Sequence, residues 1–380
     1  PQVYITTNYG SGSPAEAAAW VQYANVTKKY GVKYWEVGNE IYGTWENDTN
    51  TRPHDPVTYA TRFQQFVTAM KAVDPTIKVG AVIALGEDSY ANYSDEVVTN
   101  PVTGQQHSGW TPVMLTTLKN LGCIPDYVIY HRYEQNAGGE DDTALLTSAQ
   151  TWPDDAAGLR SMLNDYLGTA AAAGVEIDCT ENNSISSNPG KQSTSLVNGL
   201  YLADSVGNLM QTEINSLIWW DLRNGPEYGN NNSPLLYGWR NYGDYGIVAG
   251  GSVNSALPAQ VYPTAEVEQL LTHFARGGET VVTAGSNYWG MGAYAVVGTN
   301  GTLRVLLINK TPAYSLPTTV NLQGWGRFTS LTSYQYGMTQ DNNAQAGSGS
   351  VAPSQTTVSA SGPAVTVTLP PYSATVLVIP

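Results

Sequence analysis

The sequence has few charged residues and no long apolar run. Only 13% of its 380 residues are charged, and 17 Lys and Arg stand against 31 Asp and Glu, so the formal net charge is −14. Nucleic acids and anionic membranes bind through clusters of Lys and Arg, which this composition disfavours. No segment approaches the roughly 18 apolar residues that a membrane-spanning helix needs. We therefore expect neither a nucleic acid nor a membrane as partner.

Cysteines are scarce as well, since Cys123 and Cys179 are the only two. Two cysteines exclude a disulfide framework and a multi-thiolate metal site. Their positions at opposite ends of two predicted strands predict a separation of roughly 20 Å, so we expect two free thiols. No zinc-protease, P-loop or dinucleotide motif occurs, and we expect no cofactor and no metal. We find no signal-peptide pattern in this sequence, and its low Lys content and its many Asn, Gly, Ser and Thr residues lead us to expect a secreted or extracellular protein.

The aromatic residues are mostly Tyr and Trp, with 25 Tyr and 10 Trp against 4 Phe. Tyr and Trp combine a flat apolar ring with a polar group, which suits a wet surface such as one that binds sugar rings. Ordinary use in a core or an interface explains the same excess equally well. Composition alone therefore leaves both readings open.

Apolar patterning divides the chain into two regions. In the first, short strands that are apolar on both faces alternate with helices, which is typical of a parallel sheet covered by helices. The predicted strands are 2–7, 32–38, 77–84, 126–131, 175–180 and 216–221, and the predicted helices are 14–30, 56–73, 111–121, 154–173, 194–212 and 263–275. Between the last of these strands and the last helix, the irregular and aromatic segment 222–260 is long enough to suggest a functional loop.

Beyond Gly277 and Gly278 the helical period disappears, and short alternating strands joined by Gly, Asn and Pro turns predict a β-sandwich. We expect 342–362 to be a loop or a poorly ordered hairpin. The predicted domains are a barrel-like domain at 1–277 and a C-terminal β-sandwich at 278–380.

The most specific motif is the sequence WEVGNE, which ends the second predicted strand with Asn39 and Glu40. A later strand ends in a second acidic residue, Glu181. Active sites of parallel barrels collect at the carboxyl ends of the strands. Cleavage of a glycosidic bond needs two carboxyl groups, one to protonate the leaving oxygen and one to attack or to activate water. Asp178 is the nearest rival to Glu181.

These motifs resemble clan A of the glycoside hydrolases, whose members carry Asn-Glu at the end of the fourth barrel strand and a nucleophilic Glu at the end of the seventh. The segment WEVGNEIYG is most similar to family 51, which contains α-L-arabinofuranosidases and endo-glucanases. The resemblance implies an α/β fold: a (β/α)8-type TIM barrel, incomplete in this chain with six recognisable strands, followed by a C-terminal β-sandwich.

The resemblance also implies roles for individual residues in a retaining O-glycoside hydrolase with a two-Glu mechanism. Glu40 is then the general acid/base, which must hold its proton near neutral pH, and Glu181 is the nucleophile. The candidate substrate-binding residues are Asn39, His131, Tyr133, Trp220, Trp45 and Trp239. For His131 a hydrogen-bonded core histidine is the alternative, and Trp45 and Trp239 are weaker because Trp in loops more often packs than binds ligand.

The chain departs from the clan's pattern because nothing precedes the third barrel strand. An open sheet edge is normally covered or paired. Loss of an N-terminal part, self-association or a second chain covering the open barrel edge, and a working six-stranded partial barrel are the three explanations.

An open cleft suits an internal site on a long glycan. We therefore expect an endo-β-1,4-glycanase acting on a cellulose- or xylan-type polysaccharide or oligosaccharide. An exo-acting α-L-arabinofuranosidase is the close alternative. A non-catalytic carbohydrate-binding protein is the second alternative, although binding alone does not require a pair of Glu residues.

Overall fold

The structure is a computed structural model that describes residues 2–91, 95–250 and 260–380. Part of the predicted loop at 222–260, residues 251–259, therefore lies outside the described residues. The chain divides into two compact units. The first comprises Pro1–His131, Asp154–Glu181 and Glu213–Leu217, and the second comprises Arg132–Pro153, Asn182–Thr212 and Ile218–Pro380.

The helices are short to medium in length, and none in the described part of the chain is long and apolar enough to cross a bilayer. They are α1 (Pro14–Val21), α2 (Pro56–Val73), α3 (Trp110–Asn120), α4 (Asp142–Ser148), α5 (Trp152–Leu167), α6 (Thr169–Ala172), α7 (Leu196–Leu209), α8 (Pro263–Leu271) and α9 (Met338–Ala346). A π-helix at Gln22–Thr27 continues α1, and 3-10 turns lie at Ala149–Thr151 and Lys191–Thr194.

The first eight strands include the six that were predicted for the barrel. They are β1 (Tyr4–Thr7), β2 (Tyr34–Val37), β3 (Lys78–Val82), β4 (Val98–Thr99), β5 (Gln106–His107), β6 (Tyr127–Gln135), β7 (Glu176–Ile185) and β8 (Ile214–Trp219). One six-stranded sheet has the order β1-β2-β3-β6-β7-β8, and the pairs β1–β2, β2–β3 and β3–β6 are parallel. This curled sheet of six strands confirms the prediction of an incomplete barrel.

The sheet forms because its strands bury both faces. All four residues of β2 are buried, and Trp35 and Val37 are fully so. Helix α2 covers the sheet with a single apolar face, because Tyr59, Phe63 and Phe66 recur at helical spacing and each is 0% exposed. Cys123 and Cys179 are buried and free, which confirms the prediction of two free thiols.

The second unit contains all the remaining strands. They are β9 (Arg223–Asn224), β10 (Glu227–Tyr228), β11 (Tyr242–Gly243), β12 (Val248–Ala249), β13 (Thr280–Val282), β14 (Met291–Val297), β15 (Leu303–Asn309), β16 (Leu316–Asn321), β17 (Phe328–Gly337), β18 (Ser354–Gly362), β19 (Ala364–Leu369) and β20 (Ser373–Ile379). An antiparallel sheet with the order β13-β14-β15-β20-β17-β18 packs against the pair β16-β19 around a shared apolar core. This arrangement confirms the predicted β-sandwich.

One segment differs from the expectations. The segment predicted as a loop or poorly ordered hairpin at 342–362 contains the end of α9 and the strand β18. Helix α9 has no apolar face, since it reads MTQDNNAQA, and it ends at Gly347, whose φ of 63° terminates the helix. Its polar sequence explains why hydrophobic periodicity misses it. The domain boundary at 277/278 stays a proposal, and the antiparallel strands begin at Thr280.

Helix α2 depends on its N-terminal cap for its start. Asp55 is buried and accepts from the Thr58 backbone N–H at 2.8 Å and from the Thr58 hydroxyl at 2.7 Å. Replacing Asp55 with Ala should lower the free energy of unfolding by about 1 kcal/mol, because the cap is lost. Asp55→Asn keeps the acceptor and should cost less. Urea denaturation checks both variants, and equal losses in the two would contradict the capping role.

Candidate active site

Glu40 in the loop after β2, His131 within β6 and Glu181 within β7 come together in the first unit. The strand register explains their common height. Glu36 pairs with Gly80, and Gly80 pairs with Tyr127, so Glu40 and His131 each lie four residues further along. Parallel strands place such positions at the same edge of a sheet.

The cluster is compact and mostly buried. His131 Nδ1 lies 3.0 Å from Glu40 Oε1 and 3.5 Å from Glu181 Oε2. One oxygen of each Glu and one ring nitrogen of His131 all lie within 4.8 Å of one another. The side chains of Glu40, Glu181 and His131 are 18%, 14% and 4% exposed. Both carboxyl groups are therefore partly exposed to solvent, whereas the imidazole that contacts them is buried.

Two aromatic side chains also donate hydrogen bonds to Glu40. The Tyr42 hydroxyl lies 3.1 Å from Oε1, and the Trp45 Nε1–H donates to Oε2 at 2.6 Å. Gly43 makes this possible, because a Cβ at that position would lie 2.2 Å from the Trp45 ring. The turn before it needs Gly38, which has a φ of 79° and whose added Cβ would lie 2.7 Å from Ile41.

These contacts set the charges of the cluster. Burial opposes ionisation of Glu40, but its bond to His131, the charge of His131 and the Trp45 and Tyr42 donors outweigh burial and lower the pKa of Glu40. Burial likewise opposes protonation of His131, but Glu40, Glu181 and Glu36 outweigh it and raise the pKa of His131. At a pH between these two pKa values, Glu40 is therefore ionised and His131 is protonated. This differs from the expectation that Glu40 itself holds the proton in the free protein.

The same three side chains have donor atoms close enough to hold a metal ion. The contact between His131 Nδ1 and Glu40 Oε1 at 3.0 Å argues for a different use of these atoms. A proton shared between Nδ1 and the carboxylate oxygen accounts for a contact of this length, and a ring nitrogen that carries a proton offers no lone pair to a metal. We therefore interpret the group as a hydrogen-bonded acid–base cluster.

A cavity of about 320 Å³ adjoins the cluster within the first unit. Its lining is aromatic on one side, where Tyr42 and Tyr90 stack with ring centroids 4.3 Å apart, and His131 lines it as well. Ser89 adds a hydroxyl and Leu85 an apolar contact to the lining. Flat rings beside polar groups form a surface that fits a sugar ring.

The remaining predicted site residues divide between the two units. Asn39 and Trp45 lie in the same loop as Glu40, and the Asn39 amide donates to Glu46 at 2.8 Å. Tyr133, Trp220 and Trp239 belong to the second unit, and their roles stay predictions. Within that unit, Trp220 is 44% exposed.

The environment of Trp239 in the second unit is that of a packed side chain. Its Nε1–H donates to Asp341 at 3.3 Å, and the Arg240 guanidinium lies 4.1 Å from its ring centroid. Trp219, which precedes Trp220, packs against the buried cluster that contains Tyr201. Trp220 is accordingly the more accessible of the two neighbouring tryptophans.

Sequence reasoning missed three residues around the cluster: Tyr42, Glu36 and Thr180. Tyr42 stands in the quoted motif WEVGNEIYG, two positions after Glu40, and could have been found there. Glu36 was visible as a charged residue inside an otherwise apolar strand. Nothing in the sequence distinguishes Thr180 from other strand threonines.

Comparison with known proteins agrees with this arrangement. A family model described as an alpha-L-arabinofuranosidase 1 domain matches residues 7–117, which include β2 and the loop that carries Glu40. A probable alpha-L-arabinofuranosidase C of Aspergillus clavatus is 33% identical over 105 residues, which are 24% of this chain and 19% of that protein. The chain thus spans only about a fifth of the length of the curated relatives it matches first.

Solved structures match over nearly the whole chain at low identity, and so show the fold alone. The family 51 alpha-L-arabinofuranosidase of Thermotoga petrophila has a TM-score of 0.68 at 19% identity and covers 100% of this chain and 76% of its own. A bifunctional glucanase-xylanase from a metagenome library has a TM-score of 0.62 at 17% identity, with coverages of 96% and 68%. Residues 7–117 are thus similar in sequence to an alpha-L-arabinofuranosidase domain, and nearly the whole chain is similar in fold to family 51 structures.

Proposed function

We propose that the protein is a retaining glycoside hydrolase that acts by double displacement. The observation that carries the proposal is the pair of carboxyl groups at Glu40 and Glu181, which approach within 4.8 Å of each other beside His131. Retaining glycosidases need a separation of about 5–5.5 Å between their carboxyl groups, whereas inverting enzymes need about 6.5–9.5 Å for a water molecule.

In this mechanism Glu181 attacks the anomeric carbon and the bond to the leaving oxygen breaks. Glu40 gives a proton to that oxygen, and later takes one from the water that releases the sugar. In the unliganded protein the proton of the pair resides on His131. The acid step therefore requires it to pass along the 3.0 Å contact from His131 Nδ1 to Glu40.

For the substrate, we propose a terminal α-L-arabinofuranoside. The names of the relatives that match the motif region favour it over the endo-β-1,4-glycanase preferred from sequence. Endo action remains the second candidate, because the glucanase-xylanase shares the fold. We also propose an extracellular site of action, on the basis of composition. Self-association stays an expectation from the open edge.

A substrate comparison tests the proposal. We expect the protein to release phenol from an aryl α-L-arabinofuranoside and to leave carboxymethyl cellulose and xylan chains uncut. The reverse result would support endo action. No release from either kind of substrate, together with retained sugar binding, would instead indicate a carbohydrate-binding protein.

The same assay tests the proposed roles of Glu40 and Glu181. Glu181→Gln should abolish release, and Glu40→Gln should lower kcat on the order of 10²- to 10⁴-fold with a natural leaving group. The loss in Glu40→Gln should be smaller with an aryl leaving group that needs little protonation. Glu16→Gln, at an exposed Glu, is the control, and treatment with a chelator should change nothing. Full activity in Glu181→Gln, or its loss with the chelator, would contradict the mechanism.

The pH dependence of kcat/KM follows from the pair formed by Glu40 and His131. The proton that it needs is lost as pH rises through the raised pKa of His131, so kcat/KM should fall on the alkaline side, above the ordinary histidine value of about 6.5. In His131→Asn this limb should move to lower pH, because Glu40 must then hold the proton alone. His273→Asn, at a histidine in the second unit, should leave the limb in place. An unmoved limb in His131→Asn would contradict the assignment.

A further inference from the structure

Three aromatic side chains beside Glu40 contact one another in every pair. The rings of Tyr42 and Tyr90 stack with their centroids 4.3 Å apart and their planes inclined by 26°. The Trp45 ring meets both of them edge-on, with centroids 6.1 Å apart in each case. Tyr42 and Trp45 also donate the hydrogen bonds to Glu40 described above. Tyr90 is therefore the member of the cluster that packs against both donors.

The fold brings Tyr90 to this cluster from a separate loop. Tyr42 and Trp45 lie in the loop after β2, whereas Tyr90 lies in the loop after β3. These two strands pair in parallel, so their loops leave the same edge of the sheet. The neighbouring Ser89 is fixed, because its carbonyl accepts the backbone N–H of Trp110 at 2.9 Å. The Tyr90 ring thus stands on an anchored backbone outside the loop that carries the two donors.

The backbone of Tyr90 is in a conformation that bulky side chains rarely adopt. Its φ is 56°, in the left-handed region that Gly and Asn enter most readily. Glu40, which accepts from the other two rings, also has a positive φ, of 38°. Such conformations are found where the surrounding structure enforces them, and they concentrate at functional sites. A bulky ring held on this backbone therefore calls for a role in the site.

Trp45 needs support from its neighbours because its side chain is exposed. It is 60% exposed, so water competes for its Nε1–H and the side chain has room to leave Glu40. Ordering a side chain costs conformational entropy, which packing against neighbours offsets. Tyr42 is buried, and its ring also meets that of Trp110 edge-on, with centroids 6.0 Å apart. Tyr90 stacks on this fixed ring and contacts the Trp45 indole as well, which restricts the indole to the position from which it donates.

We propose that Tyr90 is a positioning residue that acts through Tyr42 and Trp45 to hold the carboxyl group of Glu40 in the orientation for proton transfer. This role deepens the proposed function and rests on it, because Glu40 is there the group that protonates the leaving oxygen. The Tyr90 ring should therefore matter most for substrates whose leaving oxygen needs a proton. A ring that only packs would instead affect all substrates alike.

The first test follows the Nε1–H of Trp45 by NMR in protein labelled with 15N-tryptophan. The chain has 10 Trp, and Trp45→Phe identifies the signal. Asn tolerates a positive φ, so Tyr90→Asn removes the ring and keeps the backbone conformation accessible. In Tyr90→Asn the signal should move upfield, toward that of an unbonded indole, and its hydrogen should exchange with water roughly tenfold faster or more. Tyr90→Phe, which keeps the ring, should change neither property, and nor should the matched control Tyr30→Asn, at an exposed Tyr of the same unit.

The second test compares two leaving groups. In Tyr90→Asn, kcat/KM should fall on the order of 10- to 10²-fold with a natural sugar as leaving group, because the acid is misplaced. With a dinitrophenyl leaving group, which needs little protonation, kcat/KM should stay within about twofold of its value in the unaltered protein. Tyr90→Phe and Tyr30→Asn should leave kcat/KM unchanged with both substrates.

An unchanged Trp45 signal in Tyr90→Asn, or an equal loss of kcat/KM with both leaving groups, would overturn the proposal. Circular dichroism establishes that each variant is folded, and if Tyr90→Asn is not, Tyr90→Leu takes its place with the same expectations. Because the NMR test needs no turnover, it decides whether Tyr90 holds the Trp45 donor even if the protein hydrolyses no glycoside. Absence of hydrolysis in the unaltered protein would count against the proposed function instead.

Discussion

The contact of one imidazole with two carboxyl groups is the interaction on which the candidate site depends. His131 is almost fully buried, yet it approaches Glu40 at 3.0 Å and Glu181 at 3.5 Å. Two carboxylates at such a distance would repel each other strongly in a partly dry site, and the protonated ring offsets that repulsion. Its raised pKa and the lowered pKa of Glu40 are two consequences of the same contact. In the proposed mechanism, the proton for acid catalysis therefore lies on His131, beside Glu40.

The parallel sheet makes this contact possible and also explains the polar groups beneath it. The strand register places Glu40 and His131 at the same level of the sheet. Glu36 lies on β2, four residues before Glu40, and the Thr6 hydroxyl donates a hydrogen bond to one of the carboxyl oxygens of Glu36. Interiors of such sheets are usually filled by branched apolar side chains. Here buried carboxyl groups replace some of them, and each is only partly hydrogen-bonded within the described residues. Buried carboxyl groups with shifted pKa values cluster at functional sites.

The elements that alternate clearly in the sequence were predictable, and the polar contacts were not. Periodicity predicted helix 56–73 exactly as α2 has it, and the six strands of the sheet were all expected. Periodicity could not predict α9, because that helix has no apolar face. The motif WEVGNE and the later Glu181 predicted the carboxyl pair, but the sequence did not predict that Glu40 is ionised and His131 protonated. That depends on Trp45 turning back over Gly43 to donate to Glu40, and on Thr180 meeting His131 from another strand.

The central claim is that Glu40 and Glu181 act directly on one glycosidic bond, without a water molecule between the attacking carboxylate and the sugar. The stereochemistry of the first product tests this claim most directly, because one oxygen of each carboxyl group lies within 4.8 Å of the other, nearer to the roughly 5–5.5 Å of retaining enzymes than to the roughly 6.5–9.5 Å of inverting ones. The anomer released from an aryl glycoside can be followed by 1H NMR before mutarotation. The account predicts that the product first appears with the anomeric configuration of the substrate. Initial appearance of the inverted anomer would contradict it.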